Sequence, residues 1–133
     1  MGAAQAGSWD YFDETGTQLT DGMHGVDDRR ADLGNGMAYE SVAWRTVDPT
    51  VTFNFATSVT INKVFIDFER AQDVAAIYLP SSVNIGGRDY GLTGEEIPDW
   101  THGAIGFGDW SWTGTSLTIT LIPRSGNWTF GRY

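Results

Sequence analysis

Apolar and polar residues alternate with a period of two in four separate stretches, the pattern expected of half-buried β-strands. Such rows cover 51–55, 64–68, 83–85 and 117–121, and a last strand is predicted over 128–133. Shorter strands are predicted at 8–12, 18–20 and 105–107. No window keeps a helical period for more than two turns, so the pattern predicts an all-β chain.

Turn-forming residues separate these rows, at 13–16, Asp48-Pro49, Gly86-Gly87, Thr113-Gly114 and 125–127. Apolar positions also change parity between Phe107 and Trp110, which indicates a hairpin or a bulge there. Seven or eight short strands at this spacing are typical of an antiparallel β-sandwich or jelly roll. We interpret residues 1–7 as a linker at the edge of a larger secreted protein, and 8–133 as one sandwich domain.

Composition narrows the range of partners. The net charge is −9, and the eight Lys and Arg residues are dispersed, so affinity for nucleic acid or an acidic membrane is not expected. The chain has no cysteine, and therefore no disulfide. It also has no membrane-length apolar stretch. The 18 aromatic residues offer flat faces to sugars or partner proteins as well as core-forming bulk.

A long segment from 21 to 41 contains four glycines and four aspartates without a clear strand pattern. A loop of this length in a small domain is usually functional or fixed by a ligand. Carboxylate and carbonyl oxygens suit Ca²⁺. We therefore predict a structural calcium site made by Asp21, Asp27 and Asp28 with the carbonyl of Gln18. The alternative is that these aspartates are solvated turn formers.

Five motifs in order give the chain a resemblance to a known family. They are Leu19-Thr-Asp-Gly22, Trp44-Arg45, Asp48-Pro-Thr-Val-Thr-Phe-Asn-Phe55, Ile61-Asn-Lys-Val-Phe-Ile-Asp-Phe68 and Ile77-Tyr-Leu-Pro-Ser-Ser-Val-Asn-Ile85. Together they resemble the discoidin, or coagulation-factor type C, domains of the galactose-binding-like jelly rolls. The resemblance implies a five-stranded and a three-stranded sheet, a structural Ca²⁺, and carbohydrate binding in loops at one end. It also implies an accessory module of a secreted polysaccharide-degrading enzyme.

The resemblance places ligand contacts at Arg45 and Arg70, and residue chemistry supports both because the guanidinium fork can grip vicinal hydroxyls. The alternative for Arg70 is an ion pair with Asp67 or Glu69. The family often closes with a strand that carries a calcium-binding Glu. Here residues 128–133 contain no acid.

Aromatic and imidazole side chains complete the candidate ligand set. Trp100 and His102 lie two apart between strand rows, so in extended chain they would share a face. Trp110 is a further candidate, with core packing as its alternative. His24, in the long segment, is included with a solvent-exposed role as its alternative.

The sequence shows no catalytic signature: it lacks a nucleophile elbow, a zinc motif and a phosphate-binding loop. With the resemblance, which implies galactose-type ligands, we expect a noncatalytic carbohydrate-binding module, monomeric and attached to a larger secreted enzyme, with a galactose-type or agar-like ligand. The alternative is a protein-interaction, adhesion or spacer domain of an extracellular protein. A broad exposed apolar patch would indicate that alternative.

Overall fold

The computed structural model describes residues 42–45, 48–72, 77–124 and 128–132, and the first and last of these segments are described by their backbone. Eight strands are formed. They are β1 Val42–Arg45, β2 Thr50–Ile61, β3 Val64–Arg70, β4 Ser82–Ile85, β5 Arg88–Gly91, β6 Thr101–Phe107, β7 Trp112–Ile122 and β8 Trp128–Arg132. The described residues contain no helix, and thus no helix capable of crossing a membrane.

The strands form two four-stranded antiparallel sheets, with the orders β1-β8-β3-β6 and β2-β7-β4-β5. Strands β1, β3, β5 and β7 end, and β2, β4, β6 and β8 begin, at one end of the sandwich. We call this the Arg70 end, because β3 finishes there. The opposite end, where β6 finishes, is called the Phe107 end.

One hydrophobic core lies between the sheets. Alternate residues of both sheets point into it, as the period-two pattern requires. Its buried members are Ile66, Phe68, Leu79, Val83, Ile85, Ile97, Phe107, Leu117, Ile119 and Leu121. Since residues of both sheets share this cluster, the sheets pack face to face and form the predicted β-sandwich.

Threonines reinforce the solvent face of the β2–β7 pair. Thr50 and Thr52 lie opposite Thr120 and Thr118, and their hydroxyl oxygens are 3.0 and 3.2 Å apart. Cross-strand pairs of this kind stabilise a sheet by about 0.2–1 kcal/mol each. They also fix the register that places the apolar residues of both strands in the core.

The four rows read from the alternation correspond to β2, β3, β4 and β7. The last predicted strand corresponds to β8, and 105–107 falls within β6. Strands β1 and β5 were not predicted. The predicted strands at 8–12 and 18–20 lie outside the described residues. The described strands divide four and four, in place of the five and three implied by the resemblance, because β5 folds back on β4 and widens its sheet.

Two turn assignments had different outcomes. Gly86 and Gly87 form the β4–β5 turn with φ of 58° and 90°, a conformation that glycine adopts readily. The turn predicted at Thr113-Gly114 is wrong, because both residues lie within β7. A Cβ at position 114 would lie 2.7 Å from Cζ2 of Trp112. This glycine therefore makes room for the indole.

The hairpin or bulge predicted between Phe107 and Trp110 is also wrong. The chain leaves one sheet after β6 and enters the other at β7, so the two strands are not paired. Apolar parity changes there because the core lies on the opposite side of the chain after the crossing. Asp109, with φ of 60°, helps the chain to turn.

Candidate functional site

The two arginines predicted as ligand contacts lie at the same end of the same sheet. Arg45 is the last residue of β1 and pairs with Trp128, while Arg70 is the last residue of β3. Strand β8 also pairs with β3, with Glu69 opposite Phe130. Continuing this antiparallel register by two residues puts Trp128 opposite position 71, directly after Arg70. One strand, β8, separates the two arginines, which places their backbones about 10 Å apart.

Arg70 supports the segment between β5 and β6, which we call the 92–100 connection. Its Nη1 donates a hydrogen bond of 2.8 Å to the carbonyl oxygen of Ile97. By strand alternation Arg70 lies on the face of Phe68, whereas Asp67 and Glu69 lie on the other face. The contact observed for Arg70 is therefore with backbone, rather than the ion pair considered as its alternative.

Trp100 ends the 92–100 connection in an unusual backbone conformation. Its φ is +61°, in the left-handed region that side-chain-bearing residues seldom occupy. The side chain is 46% exposed, and with Phe65 it makes up the exposed large hydrophobic residues of the described chain. A strained backbone that presents an aromatic ring to solvent is a feature found at ligand sites.

Asp99 fixes the backbone beside that tryptophan. Its Oδ1 accepts hydrogen bonds from the amide of Gln72, at 2.9 Å, and from the amide of Trp100, at 3.1 Å. Gln72 follows β3 and Trp100 precedes β6, so one carboxylate oxygen joins two segments of the Arg70 end. Thr101 adds a 2.8 Å bond from its hydroxyl to the carbonyl of Pro98.

Side-chain hydrogen bonds also fix the first half of the 92–100 connection. Nη2 of Arg124 donates a 3.0 Å bond to the carbonyl of Leu92. The carboxylate of Glu96 accepts bonds from the Thr93 amide, the Thr93 hydroxyl and the Gly94 amide. Partial burial by itself raises the pKa of Glu96, but these hydrogen bonds outweigh it and lower the pKa below its ordinary value.

His102 is half-buried in β6 and pairs with Glu69, a residue only 4% exposed. Both lie on the face of the sheet away from the core, opposite to the face that Arg70 occupies. The expectation that Trp100 and His102 share a face assumed extended chain. It does not apply, because Trp100 precedes β6 and has a positive φ.

Trp110 lies at the Phe107 end, separated from Trp100 by the length of β6, about 20 Å for seven residues. It is half-buried and packs against the core, and its indole nitrogen is inaccessible to solvent. The structure thus brings Arg45, Arg70, Trp100 and His102 to one end and leaves Trp110 at the other.

The remaining candidates lie outside the described residues. They are His24 and the predicted calcium ligands Gln18, Asp21, Asp27 and Asp28. Within the described part of the chain, no group of three or more His, Cys, Asp or Glu side chains is arranged to hold a metal ion. The calcium prediction concerns a different segment.

Sequence reasoning missed two of the residues that organise the 92–100 connection, Asp99 and Ile97. Asp99 follows a proline and precedes a strand, where an aspartate often accepts nearby backbone amides, and this signal was available. Ile97 left no comparable signal. Its carbonyl oxygen accepts a hydrogen bond from Arg70, and its side chain packs against Gly103. A Cβ at position 103 would lie only 2.8 Å from Cγ2 of Ile97.

Comparison of the chain with protein-family models gives no match, and comparison with curated proteins gives none either.

Proposed function

We propose that this chain is a noncatalytic carbohydrate-binding module that tethers a secreted polysaccharide-degrading enzyme to its glycan. The observation that carries the proposal is Trp100, a half-exposed indole held in a left-handed conformation at the Arg70 end. Sugars bind to proteins by stacking C–H faces on aromatic rings, while planar polar groups grip adjacent hydroxyls. The proposal combines this indole with Arg45 and Arg70, the last residues of two strands that finish at the same end.

Rigidity of the 92–100 connection supports the same proposal. Arg70, Asp99 and Arg124 tie this connection to β3, to Gln72 and to the end of β7. A small polar ligand offers few atoms for contact, so affinity is sensitive to the entropy lost in ordering a loop. A platform that is already ordered avoids that loss. Several weak sites on one polymer then give useful avidity.

Charge and resemblance define the proposed ligand. The chain has a net charge of −9, so a neutral glycan suits it better than a sulfated or acidic one. The discoidin-like motifs favour galactose-type units, including agar-like polysaccharides. Proposed with them are a structural Ca²⁺ in the 21–41 segment, secretion, and a monomeric module on a larger enzyme.

The carboxylates of the 92–100 connection support a binding role over catalysis. Glycoside hydrolysis needs two carboxyl groups facing one cleft. Here Glu96 and Asp99 are each bonded to backbone amides of their own surroundings. These bonds give Glu96 and Asp99 structural roles, and Glu95, the third carboxylate of the connection, is exposed.

The adhesion alternative would require a broad apolar patch. In the described part of the chain the exposed large hydrophobic residues are Phe65 and Trp100. Phe65 lies five residues from Arg70 along β3, about 17 Å, toward the Phe107 end. Phe65 and Trp100 are therefore at opposite ends of their sheet and form no such patch within the described residues, which favours the glycan proposal.

Calorimetric titration against a panel of neutral and charged polysaccharides tests the proposal, with Trp100→Ala as the variant and Phe65→Ala as its control. We expect a neutral galactan to bind the native protein. Trp100→Ala should weaken binding at least tenfold, or about 1.4 kcal/mol. Phe65→Ala, at the other exposed aromatic residue, should leave it unchanged. Absence of binding to every glycan, or equal effects of the two variants, would refute the proposal.

A further inference from the structure

We infer that Asp99 is the positioning residue of the Arg70 end: one of its carboxylate oxygens holds Trp100 in the conformation that presents its indole to solvent. The inference rests on the proposed function for its consequence in binding. The conformational claim itself is independent of any ligand.

The geometry provides the argument. A tryptophan seldom adopts a φ of +61°, because its Cβ then lies too close to the following carbonyl oxygen. The amide of Trp100 donates to Oδ1 of Asp99, and this local bond favours the observed turn. The amide of Gln72 donates to the same oxygen, so the turn is tied to the end of β3 as well as to its own neighbour.

Two arginine contacts act on the same connection but not on Trp100 itself, whereas the bond from the Thr101 hydroxyl to the Pro98 carbonyl spans the turn that contains Trp100. Arg70 bonds to the carbonyl of Ile97, and Arg124 bonds to the carbonyl of Leu92. Both arginines therefore hold the course of the connection before it reaches the turn. Asp99 is the described side chain that bonds to the Trp100 amide, so losing it should change the indole orientation while the connection stays in place.

The experiment compares Asp99→Ala, which removes the acceptor, with Asp99→Asn, which keeps an acceptor oxygen without the charge. Glu95→Gln is the control for charge, since Glu95 is an exposed acid in the same connection. Amide hydrogen exchange at Gln72 and Trp100 is measured by NMR in the absence of glycan. Binding of the best galactan is measured by calorimetry.

We expect exchange at both amides to become at least tenfold faster in Asp99→Ala and to change little in Asp99→Asn and Glu95→Gln. Glycan affinity should fall at least fivefold in Asp99→Ala and largely recover in Asp99→Asn. Amide exchange that stays native in Asp99→Ala would overturn the positioning role, even if Trp100→Ala abolishes binding. Faster exchange in a protein that binds no glycan would support the positioning role of Asp99 and refute the proposed function. Faster exchange with native glycan affinity would overturn the role of Asp99 in binding.

Discussion

Replacing Trp100 by glycine and by alanine separates the backbone conformation of this residue from the contribution of its side chain. Both variants lose the indole, which is about half buried. Fully burying a large apolar side chain stabilises a protein by about 1.5–3 kcal/mol, so half burial corresponds to about 1 kcal/mol lost in each variant. The loss of the indole is common to both variants, so the difference between them reflects the backbone alone.

At a φ of +61° glycine should give a more stable protein than alanine, the reverse of their usual order. Alanine keeps the left-handed penalty of roughly 1–2 kcal/mol, whereas glycine does not. Glycine loses more backbone entropy on folding, about 0.5–1 kcal/mol, and this partly offsets its advantage. We therefore expect Trp100→Gly to be more stable than Trp100→Ala by about 0.5–1 kcal/mol.

Glu95 provides a matched position, exposed in the same connection and without a positive φ. Glu95→Ala should be more stable than Glu95→Gly by about 0.4–1 kcal/mol, the opposite order. Urea unfolding followed by far-UV circular dichroism gives the four free energies of unfolding. If alanine is the more stable replacement at both positions, Trp100 is not in a left-handed conformation in solution, and the reasoning built on its turn fails.

Three further predictions concern packing, pH and metal. Gly114→Ala should lower the free energy of unfolding by about 1–3 kcal/mol because its Cβ meets the Trp112 ring, whereas Gly91→Ala, with open space around it, should not; equal urea midpoints would contradict this. Because its pKa is lowered on folding, Glu96 stabilises the native state fully above the ordinary value of 4.5, and this contribution is lost as the pH falls through the lower folded value. The stability difference between the native protein and Glu96→Gln, from urea titrations across this range, should accordingly shrink in acid, and a constant difference would count against the hydrogen bonds to Glu96. If Ca²⁺ binds the folded 21–41 segment, removing it with a chelator should lower the melting temperature, since an ion present at 100 times its Kd stabilises by about 2.7 kcal/mol; unchanged melting of metal-free protein would exclude the site.

Local sequence determined the strands wherever one face of a strand meets the core and the other meets solvent. Rows such as Leu117, Ile119 and Leu121 alternate because burial alternates with the pleat, and all three are buried. Gly86-Gly87 was likewise predictable, because the conformation of a tight turn depends on its own residues. Neither feature requires knowledge of distant parts of the chain.

Tertiary structure decided which strands pair and therefore which residues meet. The short strand β5 has little alternation of its own and exists because β4 lies beside it. Gly114 resembles a turn residue in sequence, yet it lies in β7, since its missing side chain leaves room for the ring of Trp112. Contacts between residues near in space, rather than in sequence, override local preference in both cases.

The candidate site divides in the same way. The family resemblance selected Arg70 as a candidate ligand contact, and the aromatic character of Trp100 in a segment between strand rows selected that residue. That they lie at one end of the sandwich, with Trp110 at the other, follows from strand order alone. The role of Asp99 depends on its meeting with Gln72, 27 residues away in the chain. The alternation of residues along one strand does not predict this contact. The contact forms only when the packing of the fold brings the end of β3 close to the start of β6.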